Sequence, residues 1–122
     1  MKKILFVDDA PEMRKLLEAT FGGEEYQLLV AEDGLEAVET SLREKPDVII
    51  MDIEMPRLNG IEATRRIKAN PDTAASRIIV VSGARPDTSV ERCVAAGAEA
   101  YLAKPYSPLE LIDIVEKIPG RT

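Results

Sequence analysis

Several short apolar runs in this sequence end in side chains that could do chemistry. In chain order these runs are followed by Asp8-Asp9, by Asp52, by Ser82 and by Lys104. A carboxylate can act as a nucleophile, and neighbouring carboxylates can bind a hard cation. A hydroxyl and an ammonium can hold the oxygens of an anionic group. Together these are the groups that transfer of a phosphoryl group to a carboxylate requires.

The cysteine and histidine content narrows the chemistry further. The sequence has no histidine and a single cysteine, Cys93. Ser-His-Asp and Cys-His catalysis, the common zinc sites and an intramolecular disulfide framework are therefore excluded. Oxygen ligands and hard cations such as Mg²⁺ remain. We expect Cys93 to be a small apolar residue on a helix in a protein of the reducing cytosol.

Length indicates one domain, residues 1–122, without an output domain, which is expected either of a protein that works alone or of a piece of a longer chain. The chain has 122 residues and a net charge of −6, so its average field repels nucleic acid and anionic lipid. No apolar run approaches the roughly 20 residues that a membrane span needs. The apolar run after Met1 breaks at Asp8 and lacks the cleavage site of a signal peptide. These features predict a cytoplasmic protein that binds neither a membrane nor nucleic acid directly.

Each candidate residue is positioned by the element that precedes it. Along the sequence, short apolar runs alternate with stretches in which apolar residues recur at helical spacing. The predicted strands are Lys3 to Val7, Gln27 to Ala31, Asp47 to Met51, Arg77 to Ser82 and Ala100 to Ala103. The predicted helices are Pro11 to Phe21, Gly34 to Arg43, Asn59 to Ala69, Asp87 to Ala96 and Ser107 to Ile118.

The alternation of strands and helices predicts the fold class. Connections this short imply a parallel sheet with helices on both faces, the doubly wound α/β class. Helical spacing predicts one buried stripe per helix, for which two helices supply the clearest examples. The stripes are Leu35, Val38 and Leu42 in one helix, and Leu109, Ile112 and Val115 in the other.

The sheet order decides whether the candidate residues meet. Ligands of open α/β sheets bind beyond the carboxyl ends of the strands, where the strand order reverses. If the order is 2-1-3-4-5, the first and third strands are neighbours, and Asp8, Asp9 and Asp52 converge. Carboxylates that close repel one another unless a cation offsets their charge. With only oxygen ligands available, Mg²⁺ is the expected ion.

Each of these residues also has a purely structural interpretation. Asp9 with Glu12 forms a plausible capping box, which is compatible with metal ligation. Asp52 could be a loop acid, Ser82 part of a turn, and Lys104 a solvated surface lysine. What favours the chemical interpretation is that groups of matched chemistry end four strands at one edge of the sheet.

The motifs at these strand ends resemble the receiver domains of bacterial two-component signalling. The resemblance covers nearly the whole chain and is carried by Ile4 to Asp9, Val48 to Pro56, Asn59-Gly60, Ile79 to Gly83 and Tyr101 to Tyr106. It implies a flavodoxin-like, CheY-like fold of five parallel strands in the order 2-1-3-4-5. The chemotaxis member of this family is itself a standard example of that order.

The resemblance also implies roles for the acidic residues. Asp52 would be the phosphoacceptor, and Mg²⁺ would be the cofactor. Asp9 would bind the metal directly and Asp8 through water, while the main-chain carbonyl of Glu54 would be a further ligand.

Other positions would bind the phosphoryl group or support the site. Ser82 would hydrogen-bond one phosphoryl oxygen and Lys104 would pair with another. Tyr101 would be an aromatic switch, pointing away from Lys104 towards the surface of the fourth and fifth elements. Lys104-Pro105 would be a cis peptide bond, a geometry that general statistics give only about 5% of the time before proline. Gly60 is expected in a backbone turn before a helix.

The function implied is a phospho-accepting switch that catalyses only its own phosphorylation and dephosphorylation. A sensor histidine kinase or a histidine phosphotransfer protein would donate the phosphoryl group. An unknown downstream protein would bind the face formed by helix 4, strand 5 and helix 5, and the chain would be a monomer or a weak dimer.

Two alternatives belong to other classes of protein. A haloacid dehalogenase-type phosphohydrolase also uses an aspartate nucleophile and Mg²⁺, but it normally needs a second acid two residues later and a cap domain. Asp52-Ile53-Glu54 only half meets the first need, and 122 residues leave no room for the second. A flavin carrier would need a Ser/Thr/Gly-rich phosphate loop, which the sequence lacks.

Overall fold

The computed structural model describes residues 2–8, 11–21, 26–53, 58–83, 86–103 and 107–118, in which strands and helices alternate. The strands are β1 Lys2–Val7, β2 Tyr26–Ala31, β3 Val48–Asp52, β4 Arg77–Ser82 and β5 Ala100–Ala103. The helices are α1 Pro11–Phe21, α2 Gly34–Glu44, α3 Gly60–Ala69, α4 Pro86–Ala96 and α5 Pro108–Lys117.

The five strands form one sheet in the order β2-β1-β3-β4-β5, and all of their pairings are parallel. The predicted doubly wound fold and its strand order are therefore confirmed. The order reverses between β1 and β3, which lie side by side at the centre of the sheet. The carboxyl ends of these two strands form the switch point of the fold.

Two apolar clusters cover the two faces of the sheet. One is built on α1 and α5 and takes alternate strand residues such as Ile4, Phe6 and Ile50. The other is built on α2, α3 and α4 and takes the intervening residues, such as Leu5 and Ile49. Every residue of β3 is buried, as expected for a central strand covered on both faces.

The predicted buried stripe of α2 is wrong at Leu35 and Leu42, although Val38 is partly buried against the apolar cluster of this face. Leu35 and Leu42 are 37% and 41% exposed, while the buried residues of this helix include Gly34, Ala37 and Ser41. These small residues recur at helical spacing, so α2 presents a face of short side chains to its neighbours and packs close to them. Hydrophobicity alone identified the wrong face because the inward positions carry little side chain.

The predicted stripe of α5 is also wrong at its first residue. Leu109 is 76% exposed, and the buried residues of the helix are Leu111 and Val115, with Ile118 at its end. These three positions keep the spacing of four and three residues that one helix face requires. The other two predicted residues are on the inward side, since Val115 is buried and Ile112 packs against the same cluster.

Helix and strand boundaries differ from the prediction by a few residues. Asn59 and Ser107 precede their helices as N-caps, since their side chains accept from the backbone N–H of Glu62 and Glu110. Strand β3 is shifted by one residue, because Asp47 lies before it and Asp52 inside it. Within the described ranges, no helix is long and apolar enough to cross a membrane.

Candidate functional site

Asp8 and Asp52 stand side by side at the switch point. Val7 of β1 pairs with Met51 of β3, and each acid follows its paired residue by one position. By strand alternation, both acids belong to the face covered by α1 and α5. Both are 2% exposed. The structure therefore brings together two of the three carboxylates that the sequence predicted to converge, and Asp9 lies outside the described residues.

Backbone hydrogen bonds hold both acids in place. The N–H of Asp8 donates to the carbonyl of Ala31 at 3.1 Å, which extends the pairing of β1 with β2. Asp52 is paired with Val81 of β4, and the N–H of Ile53 donates to the Val81 carbonyl at 3.1 Å. The positions of the two carboxylates follow from the sheet and do not depend on a flexible loop.

The electrostatics of this pair favour a cation. Neighbouring strands are about 4.8 Å apart, so two buried carboxylates at matching positions repel strongly in a region with little water. Carboxylate oxygens are the donors that Mg²⁺ prefers, and the two acids therefore fit such an ion. Among the residues that the structure describes, no three acidic, histidine or cysteine side chains cluster as a metal site. The other expected ligands, Asp9 and the Glu54 carbonyl, fall outside that part.

Ser82 ends the next strand along the sheet. It is fully buried, it follows Val81 in β4, and it pairs with Ala103 of β5. Its position is therefore one step beyond the pair formed by Asp52 and Val81. Lys104 and Pro105 come directly after Ala103 but lie outside the described residues, so the expected ammonium and the expected cis peptide bond stay predictions.

Tyr101 lies in β5, where it pairs with Val80. Its side chain is partly buried and packs against the cluster on the α2, α3 and α4 face, which includes Cys93 and Ala96 of α4. Tyr101 thus lies on the face of the sheet covered by α2, α3 and α4, and its role as a switch stays a prediction. The predicted helical position of Cys93 is confirmed, and its burial raises the pKa of the thiol.

Gly60 has a more specific role than the predicted turn. It is the first residue of α3, and a Cβ there would collide with the Asp52 carbonyl and lie 2.8 Å from the Cα of Ile53. The N–H of Gly60 donates to the Ile53 carbonyl at 3.0 Å. The start of α3 therefore rests directly on the backbone of Asp52, which any side chain would prevent.

The sequence interpretation missed a second close approach of this kind. Gly34, which the sequence predicts only as the first residue of a helix, packs against the backbone of Leu58 in the connection between β3 and α3. The only signal in the sequence was a glycine directly after an N-cap residue, which is also common in helices without such a contact. The distance to Leu58 depends on tertiary packing, and no local pattern contains it.

Comparison with known proteins identifies the family and the fold. The sequence profile of the response regulator receiver domain matches residues 4–116. The protein PilH of Pseudomonas aeruginosa is 36% identical over 118 residues, which cover 97% of this chain and 98% of PilH. The chemotaxis protein CheY of Thermotoga maritima is 36% identical over 119 residues, covering 96% of this chain and 97% of CheY.

A solved structure shows the same architecture. The receiver domain of the sensor histidine kinase PA1611 from Pseudomonas aeruginosa superposes with a TM-score of 0.86 and is 33% identical, with 96% of each chain covered. That structure has a magnesium ion coordinated in its active-site cleft. The strand order, the buried acids at the switch point and the match over residues 4–116 agree, and the chain belongs to the response regulator receiver family.

Proposed function

We propose that this chain is a signalling switch of a two-component phosphorelay that accepts a phosphoryl group on Asp52. The observation that carries the proposal is the burial of Asp8 and Asp52 at matching positions of β1 and β3, where the strand order reverses. We place the protein in the cytoplasm and assign residues 1–122 to one receiver domain.

The reaction assigned to Asp52 is a phosphoryl transfer from a phosphohistidine. A carboxylate oxygen of Asp52 attacks the phosphorus as the bond between phosphorus and the imidazole nitrogen breaks. The electron pair of that bond stays on the nitrogen, and a proton on the other ring nitrogen of the phosphohistidine lets the imidazole leave as a neutral ring. The product is an acyl phosphate, which water later hydrolyses to restore Asp52. The chain has no other substrate in this scheme.

Mg²⁺ is the proposed cofactor, with Asp9 as a direct ligand, Asp8 as a ligand through water and the Glu54 carbonyl as a further ligand. When bound, the ion supplies positive charge next to the phosphoryl oxygens. Support comes from the two buried carboxylates of this chain and from the magnesium-bound receiver of PA1611. The buried acids hold their oxygens in fixed positions through the backbone of the sheet.

Ser82 and Lys104 are the proposed contacts of the phosphoryl group after transfer. Phosphorylation adds nearly two negative charges, which the Ser82 hydroxyl and the Lys104 ammonium would stabilise by hydrogen bonding and ion pairing. Any movement of the end of β4 towards the phosphoryl group acts on β5, because Ser82 is paired with Ala103. Tyr101, two residues before Ala103, is the proposed switch that reports this movement at the surface.

The proposed docking face for the downstream protein is formed by α4, β5 and α5. Two apolar side chains on these helices are largely exposed, Val94 on α4 at 62% and Leu109 on α5 at 76%. Tyr101 lies between them in sequence and packs beneath α4. A partner that covers these apolar groups would gain hydrophobic contact, and its affinity would change as Tyr101 moves.

Transfer from phosphorylated histidine donors tests this proposal. A panel of purified sensor kinases and phosphotransfer proteins, labelled on histidine, is mixed with the chain in Mg²⁺. We expect label to move from at least one donor to the parent chain within seconds to minutes, and a chelator should stop the transfer. Turnover of p-nitrophenyl phosphate by the parent, without any labelling of the chain, would instead support a phosphohydrolase.

A further inference from the structure

Gly60, the first residue of α3, lies against the backbone of the proposed phosphoacceptor. A Cβ on Gly60 would collide with the carbonyl oxygen of Asp52 and would lie 2.8 Å from the Cα of Ile53 and 3.0 Å from the carbonyl carbon of Asp52. Carbon atoms in contact are normally about 3.5–4.0 Å apart, so the Cα of Ile53 would have to move by roughly 0.7 Å. All three of these atoms belong to the backbone, so rotation of a side chain could not make room for the added methyl group.

The start of α3 is fixed and could not easily retreat. The side chain of Asn59, its N-cap, accepts from the N–H of Glu62 at 2.9 Å. The N–H of Gly60 donates to the carbonyl of Ile53 at 3.0 Å. The next residue, Ile61, is buried in the apolar cluster of α2, α3 and α4. A methyl group at position 60 would therefore press on the end of β3 as well as on the helix.

A shift at the end of β3 would change the spacing of the two buried acids. Asp52 is the last residue of β3 and belongs to the backbone that the methyl group would press upon. Asp8 is also held from the far side, because its N–H donates to the carbonyl of Ala31 in β2. Displacement of Asp52 by the start of α3 would therefore not move Asp8 to the same extent.

We propose that Gly60 is a positioning residue for phosphoryl transfer, because its missing side chain lets α3 rest on the Asp52 backbone and fixes the Asp52 carboxylate beside Asp8. The inference rests on the proposed function, since it assumes that Asp52 accepts the phosphoryl group. A reacting group must be held within about 0.5 Å of its productive position, and a misplacement of about 1 Å can cost roughly 100-fold in rate. Gly60 acts only through the Asp52 backbone and touches no reacting atom.

Alanine is a sharp probe of this position. Gly60 is not among the residues with positive φ, so alanine suits the local backbone and has the higher helix propensity. Any loss in Gly60→Ala therefore arises from the contact with Asp52 and Ile53. If α3 and β3 share the displacement, Asp52 moves by a few tenths of an ångström, and the rate of transfer should fall about tenfold.

The experiment measures labelling of the parent, Gly60→Ala and Gly97→Ala at saturating Mg²⁺. The rate is followed at increasing acetyl phosphate and, separately, at increasing phosphoramidate, which gives a limiting rate and a half-saturating concentration for each donor. Gly97→Ala is the matched control, because Gly97 has φ of 109° and its nearest contacts are with Lys68, which bonds to Ser76 just before β4. It should lose stability in urea denaturation and keep the parent rates.

Gly60→Ala should lower the limiting rate about tenfold for both donors and keep each half-saturating concentration within about twofold of the parent. The loss should be equal because the two donors share the nucleophile and differ in their leaving groups. A limiting rate within about twofold of the parent would show that the role of Gly60 is purely structural and would overturn the inference. A loss confined to one donor would overturn it as well, since the defect would then lie in the binding of that donor.

If Gly60→Ala does not fold, Asn59→Ala loosens the same contact from the helix side by removing the acceptor of the Glu62 N–H. Its limiting rate should fall by at least about twofold for both donors, and unchanged rates would also overturn the inference. If the parent is not labelled, or if Asp52→Asn is labelled as fully as the parent, the proposed function itself fails. A parent labelled on Asp52 beside an unaffected Gly60→Ala overturns only the role of Gly60.

Discussion

Strand β3 carries a buried aspartate at each end, and the two have opposite surroundings. Asp47, just before the strand, is 5% exposed, and its Oδ2 accepts from the N–H of Lys3 at 2.7 Å. Asp52, at the other end, is 2% exposed and has the carboxylate of Asp8 at the matching position of the next strand. One acid meets a backbone donor, while the other meets a second acid.

The rest of the amino end continues the pattern seen at Asp47. The N–H of Asp47 donates to Lys3, and its carbonyl accepts from Arg77, so its backbone joins β1 and β4. The hydroxyl of Ser76 donates to the Pro46 carbonyl at 2.6 Å. Hydrogen bonds of this kind satisfy buried polar groups and stabilise the sheet.

The two ends of β3 therefore have different roles. The amino end stabilises the sheet, and the carboxyl end carries the proposed site. At the amino end of β3, polar side chains are hydrogen-bonded to backbone groups, which leaves a ligand little to bind. At the carboxyl end, Asp8 and Asp52 lie at matching positions of neighbouring strands, an arrangement suited to a cation. Burial of an aspartate therefore does not identify a reactive site, whereas the chemistry of its neighbours does.

The largest effect on stability should come from Asp47. Asp47→Ala removes the acceptor of the Lys3 N–H at a buried position and should lower the free energy of unfolding by roughly 2 kcal/mol. Asp52→Ala should cost less, because relief of the repulsion with the neighbouring Asp8 offsets part of what the substitution removes. Urea denaturation in magnesium-free buffer measures both. An equal or larger loss in Asp52→Ala would mean that the two ends do not differ as described.

The next effect is stabilisation by the metal. At ten times its dissociation constant, Mg²⁺ should add about 1.4 kcal/mol to the free energy of unfolding of the parent. Asp8→Asn should reduce this gain and Asp9→Ala should reduce it further, because Asp9 is the proposed direct ligand. Asp47→Asn should keep the full gain. Equal gains in all the variants would show that the ion does not bind at the carboxyl end.

The smallest effect concerns Lys68, near the amino end of β4. Its ammonium donates to the carbonyls of Ala74 and Ser76, and burial lowers its pKa below the ordinary value, against an opposing effect of Glu99. The folded chain therefore releases this proton at a lower pH than the unfolded chain does. In the window between the two values the unfolded chain binds more protons, so stability rises with pH.

Denaturation at several alkaline pH values tests this linkage against Lys68→Met. The difference in free energy of unfolding should move in favour of the parent as the pH rises towards the ordinary lysine value. Groups common to both proteins cancel in that difference. A difference that is constant with pH would contradict the lowered pKa.

Much of the fold could be predicted from the sequence because strand ends and caps are local signals. The order of elements follows from the pattern of apolar runs, whereas the strand order, and with it the convergence of Asp8 with Asp52, was supplied by the resemblance to receiver domains. The exposure of Leu35 and Leu42 in α2 and of Leu109 in α5 could not be predicted in this way. Helix orientation depends on how closely small residues such as Ala37 allow two elements to approach, which hydrophobicity does not measure.

The same limit applies to the candidate site. Residue types indicated which side chains could react, because carboxylates, a hydroxyl and an ammonium at adjacent strand ends are together the groups that phosphoryl transfer requires. The close approaches of Gly60 to Asp52 and of Gly34 to Leu58 stayed hidden, because a glycine carries no side chain whose chemistry points to a partner. Such contacts are created by tertiary packing.

The most direct test of the central claim compares Asp52 with Asp47 as phosphoacceptors. The parent, Asp52→Asn and Asp47→Asn are incubated with acetyl phosphate and Mg²⁺, and intact mass and hydroxylamine lability are measured. We predict one labile phosphoryl group on the parent and on Asp47→Asn, and none on Asp52→Asn. Equal labelling of Asp52→Asn, or loss of labelling only in Asp47→Asn, would contradict the assignment of Asp52 as the phosphoacceptor.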